Sequence, residues 1–114
     1  MKDSRMQRVA DQFQQEIATI IHQEVKHPGI GFVTITRVEV SKDLRHAKVW
    51  FGCLGSAQDL AESQEGLRRS AGFIRGLLKK RFRLKSIPEL TFQYDESIVE
   101  SLAITKKLDE LNRS

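Results

Sequence analysis

The apolar residues of this chain keep two different periods, and the order in which the periods alternate leaves few folds open. From Ser4 to Lys26, Val9, Phe13, Ile17, Ile20/Ile21 and Val25 recur every three or four residues, which draws one stripe down an α-helix. Pro28 disfavours a helical conformation at His27, and Gly29 and Gly31 complete the break. Phe32 to Val40 is β-branched and reads as a strand, but Val33 and Ile35 are out of phase with Val38 and Val40. A bulge near Thr36-Arg37 would bring all four to one face. Beyond the polar turn Ser41-Lys42-Asp43-Leu44-Arg45, the residues Ala47, Val49, Phe51 and Cys53 alternate with His46, Lys48 and Trp50. This predicts a second strand over His46 to Leu54, paired with the first as an antiparallel hairpin.

Ser56 with Asp59 three residues on suits a helix N-terminus. From Leu60 the helical stripe returns through Leu67, Ala71, Ile74 and Leu77/Leu78 to about Phe82. Gly66, Gly72 and Gly76 interrupt it, each at a cost of about 1 kcal/mol relative to Ala. The expectation is therefore two helices with a kink at Ser70, Ala71 and Gly72. Pro88 opens a third strand, Glu89 to Tyr94, and Ser97 with Glu100 forms the capping box of a short final helix. The order α-β-β-α-kink-α-β with a short C-terminal helix predicts an α+β domain, a three-stranded mixed sheet covered by helices on one face. The crossover from strand two to strand three should be right-handed, making those strands parallel. A chain of 114 residues is one domain, with its core over about residues 4–95.

Charge is unevenly placed on this framework. Gly66 to Pro88 hold eight cations and no Asp or Glu: Arg68, Arg69, Arg75, Lys79, Lys80, Arg81, Arg83 and Lys85. The net charge is +4, so these eight leave the rest of the chain at −4. Arg68, Gly72, Arg75, Lys79 and Arg83 fall near one helical ridge, opposite Leu67, Ala71, Ile74 and Leu78. A solvated helix face ordinarily mixes signs, and this window holds no acid of its own. Such segregation is the footprint of a surface that meets polyphosphate, and Gly72 would let a phosphate backbone come close. Lys42, Arg45 and Lys48 offer a secondary contact. Trp50 among cations has the makings of a base-stacking platform, but with no second aromatic on its face it reads as covering its neighbour across the hairpin.

Enzymatic and metal readings find no constellation. Three His and the single Cys53 are scattered, and His22-Gln23-Glu24 lacks the P-C-x-x-C that would complete a zinc site. Cys53 alternates with core-facing residues and reads as an inert buried thiol that cannot form an intrachain disulfide. There is no P-loop, no complete dinucleotide loop, no signal peptide and no membrane-spanning run. The chain reads as a soluble cytoplasmic protein, not an enzyme, with no cofactor.

Specific words in the sequence add to this. Gln7-Arg8-Val9, Val33-Thr34-Ile35-Thr36, Ser41-Lys42-Asp43-Leu44 and Ala47-Lys48-Val49 come first. Ser70-Ala71-Gly72-Phe73-Ile74-Arg75, Pro88-Glu89-Leu90-Thr91-Phe92 and Asp95-Glu96-Ser97 follow in order. From about Arg8 to Leu111 the chain resembles the ribosome-binding factor A family, bacterial assembly factors of the small ribosomal subunit. The resemblance implies a type II KH-like fold in which an Ala-x-Gly or similar kink replaces the RNA-clamping G-x-x-G loop. The only G-x-x-G here, Gly52-Cys53-Leu54-Gly55, ends strand two. The resemblance also implies a monomer that binds the immature 30S subunit and its 16S rRNA and assists maturation of the 5′ end. An assembly GTPase would promote its release. His27-Pro28-Gly29 stands where the family has Asp-Pro-Arg, and the chain stops at Ser114 without the charged tail of some relatives. Two other classes are open on the residues alone. One is a small duplex-DNA-binding protein using the basic 73–82 helix; the other is a protein adaptor using Trp50 and the sheet edge.

Overall fold

The structure is a computed structural model, and it describes residues 4–84 and 86–97. Helix α1 spans Ser4–Gln23, strand β1 Val33–Val40, strand β2 His46–Cys53, helix α2 Ala57–Phe82 and strand β3 Glu89–Tyr94. The sheet order is β1-β2-β3. β1 and β2 are antiparallel and β2 and β3 are parallel, so the mixed α+β sheet is the one the periods predict. The pairing register shifts between Ile35 and Arg37, which is the expected bulge. With it, Val33, Ile35 and Val38 are buried on one face and Val40 packs against the same core.

Phe13, Ile17 and Ile20 from α1, Val49 and Phe51 from β2, and Leu67, Ile74 and Leu78 from α2 are fully buried. The rings of Phe13 and Phe82 meet edge to face at 4.8 Å and join the two helices. On β2 and β3 the alternate residues His46, Lys48, Glu89, Thr91 and Gln93 are exposed, so the helices cover one face and the other faces water. Cys53, expected as a buried thiol, is instead only partly buried, and its thiol donates to Ser63 Oγ at 3.5 Å.

The helical segments on either side of Ser70, Ala71 and Gly72 join without interruption, and α2 runs as one helix of 26 residues. Burial of Leu67, Ile74 and Leu78 along one stripe spans the glycines and outweighs their poor propensity. A complete capping box of Ser56 and Asp59 starts the helix, and Arg83 in the left-handed region (φ 53°, ψ 32°) ends it. The final helix expected after Ser97 falls on residues 98–114, outside those described.

Candidate nucleic-acid interface

The inward stripe of α2 fixes where its cations go. With Leu67, Ile74 and Leu78 turned to the sheet, Arg68, Arg69, Arg75, Lys79 and Lys80 are carried to the exposed side, together with Gly72, Phe73 and Gly76. Arg81 emerges on the flank beside α1, where its Nη1 donates to Glu16 Oε2 at 2.6 Å. It is set apart from the ridge.

The cations are not equivalent. Glu65, one residue before the basic window, accepts from Arg68 Nη2 at 2.6 Å, Arg68 Nε at 2.9 Å and Arg69 Nε at 2.9 Å. Those hydrogen bonds hold its carboxyl well below the usual range, at about 2. The absence of acid inside the window therefore misses a partner just outside it. The spacing i,i+3 and i,i+4 is itself the signal that would have found Glu65. Arg75 donates from Nε and Nη2 to the Ile87 carbonyl at 2.9 and 2.7 Å, which ties α2 to the segment before β3. Among the described residues Lys79, Lys80 and Arg83 have neither an ion-pair nor a hydrogen-bond partner for their side chains. Lys85 lies outside the described residues.

Between α2 and the segment leading to β3 is a depression of about 280 Å³ lined by Gly72, Arg75, Gly76, Lys79, Ser86 and Ile87. The β1–β2 turn stands at the same end of the sheet, because the Glu89 N–H donates to the Arg45 carbonyl at 2.8 Å. Lys42 and Arg45 in that turn are exposed, and the turn is fastened by Asp43 accepting from Ser41 Oγ and from the Arg45 N–H. Lys48 is further along β2, its Nζ 5.3 Å from the Trp50 ring. Trp50 lies under the Arg37 guanidinium at 3.8 Å, and Arg37 is its ladder partner across the hairpin. The ring covers its cross-strand neighbour, as its lone position suggests.

Residues 5–108 match the family model of ribosome-binding factor A. The chain belongs to the ribosome-binding factor A family. Ribosome-binding factor A of Thioalkalivibrio sulfidiphilus is 49% identical over 107 residues, covering 94% of this chain and 83% of that one. The solution structure of a Thermotoga maritima ribosome-binding factor A superposes with a TM-score of 0.72 at 33% identity, covering 82% of this chain and 90% of that one. A Thermus thermophilus ribosome-binding factor A homology model, fitted into a cryo-EM map of its 30S complex, matches with a TM-score of 0.63. It is 22% identical and covers 76% of this chain and 91% of that one, a likeness of fold. Among the described residues no helix is long and apolar enough to cross a membrane. No group of three or more His, Cys, Asp or Glu among them could hold a metal ion.

Proposed function

We propose that this ribosome-binding factor A homologue is a non-enzymatic assembly factor that binds the immature 30S subunit and assists late maturation of its 16S rRNA, including the 5′ end. It grips a folded rRNA junction through shape and phosphates, with little base reading. The observation that carries this is the set Lys79, Lys80 and Arg83, charges at the end of α2 that nothing among the described residues neutralises. Arg75 stands beside them as a fixed cation, and Lys42 and Arg45 extend the surface from the neighbouring turn. Family membership supplies the ribosomal context, and the 30S complex of the Thermus thermophilus relative agrees with it. The protein acts as a cytoplasmic monomer, and an assembly GTPase promotes its departure. The duplex-DNA reading loses its footing because α2 has no turn between its halves to make a helix-turn-helix.

The test is sedimentation together with binding. The protein should travel with free small subunits and be missing from finished ribosomes. Contact with about six phosphates gives log K against log salt a slope near −4 to −5. Replacing Lys79, Lys80 and Arg83 together by Gln should lower subunit affinity about a hundredfold while the Tm moves by no more than about 2 °C. Undiminished binding by that variant would sink the proposal.

A further inference from the structure

Gly72 and Gly76 lie one turn apart on the exposed side of α2, and a Cβ built on either would meet no atom of the described residues within 4 Å. Gly66 on the same helix is different, because a Cβ there would stand 2.6 Å from Ile30 Cγ1. Packing requires glycine at 66. No contact among the described residues requires it at 72 or 76, where it weakens the helix. The two open glycines line the 280 Å³ depression together with Arg75, Lys79, Ser86 and Ile87. Arg75 uses two of its five N–H groups on the Ile87 carbonyl, which fixes the guanidinium in place with three left over. Lys79 adds an ammonium without a partner among the described residues.

A hollow lined by bare glycine backbone and two cations suits a slim group that carries an anion beside it. The geometry points to a seat for one ribose–phosphate unit of an RNA strand. The sugar lies against the Gly72–Gly76 backbone and the phosphate between Arg75 and Lys79. The Ser86 hydroxyl can serve a phosphate oxygen or the 2′-hydroxyl. This rests on the RNA-binding reading above and adds which part of the RNA enters, and what two exposed helix glycines are for.

The experiment is the double variant Gly72→Ala/Gly76→Ala, measured for Tm and for binding to purified immature small subunits across a salt series. Two alanines in open helical positions should raise the Tm by roughly 5 °C or more. The added methyl groups should lift the strand off the glycine backbone, lowering affinity about tenfold and making the salt slope shallower by about one unit. A raised Tm with affinity and slope unchanged would show that no strand enters the hollow. A lowered Tm would show that the glycines serve the fold, and overturns the seat as well. The Lys79, Lys80, Arg83 variant, run in parallel, separates the two levels. Loss of binding there, with full binding by the double alanine, removes the seat alone; undiminished binding in both removes the RNA surface itself.

Discussion

The two halves of α2 differ in almost everything except being helix. The first half, Ala57 to Leu67, carries Asp59, Glu62 and Glu65 and no cation. It is built into the molecule at Ser63, Gly66 and Leu67, all buried. Ser63 Oγ accepts from the Gly31 N–H at 3.1 Å and donates to the Gly29 carbonyl at 3.4 Å, so this half holds the 27–31 loop in place. The second half, Arg68 to Phe82, buries only Ile74 and Leu78 and leaves its glycines open. Acid at the start and base at the end both favour the helix macrodipole, but that effect is confined to the terminal turns. It accounts for Asp59 and for Lys79 and Lys80, and not for Arg68, Arg69 or Arg75. One half is anchored and the other is presented. The same residue, glycine, marks both for opposite reasons.

The largest effect is expected at Gly66. Gly66→Val pushes a branched side chain onto Ile30 Cγ1 and the His27 ring, and should cost about 3 kcal/mol in urea unfolding. If valine is accommodated without loss, the first half is not anchored by close packing and the contrast with Gly72 fails. A smaller effect is expected at Ser63. Ser63→Ala leaves the Gly31 N–H without its acceptor under α2, a loss of about 1–2 kcal/mol. Hydrogen exchange at the Gly31 amide should speed up with it; unchanged exchange would show that the loop is held by apolar contact alone.

How much of this the sequence shows depends on whether the determining contact is local. The bulge was readable because Val33 and Ile35 fall out of step with Val38 and Val40 within a single strand, and burial on one face leaves no other register. The parallel β3 was readable from a helical crossover between two strands. The continuous α2 was not, because its glycines argue locally for a break while Leu67, Ile74 and Leu78 gain their burial from a sheet distant in sequence. The basic window shows its composition but not its wiring. Arg81 pairs with Glu16 65 residues away, and Arg75 serves a carbonyl that only the folded chain brings near. From charge alone those two look identical to Lys79. Ser63 carries no signal at all, since a serine in a helix usually faces water.

The smallest expected effect is also the one that tells the most about the boundary between the halves. Glu65 belongs to the acidic half and reaches across to Arg68 and Arg69 in the basic one. Its folded pKa is depressed, from 4.5 to about 2, so what it contributes to stability is present above about pH 4.5 and is lost as pH falls toward 2. Near neutral pH the carboxylate is therefore charged and occupies the donors that a phosphate would use. Glu65→Gln should release both guanidinium groups, raising subunit affinity about threefold and steepening the salt slope by about one unit. The Tm should hold to within about 2 °C, since the pair is exposed and screened. A fall in affinity would mean that Glu65 aims the two arginines at the RNA rather than competing with it. An unchanged slope would mean that neither arginine reaches a phosphate, confining the RNA-facing surface to the stretch from Arg75 to Arg83.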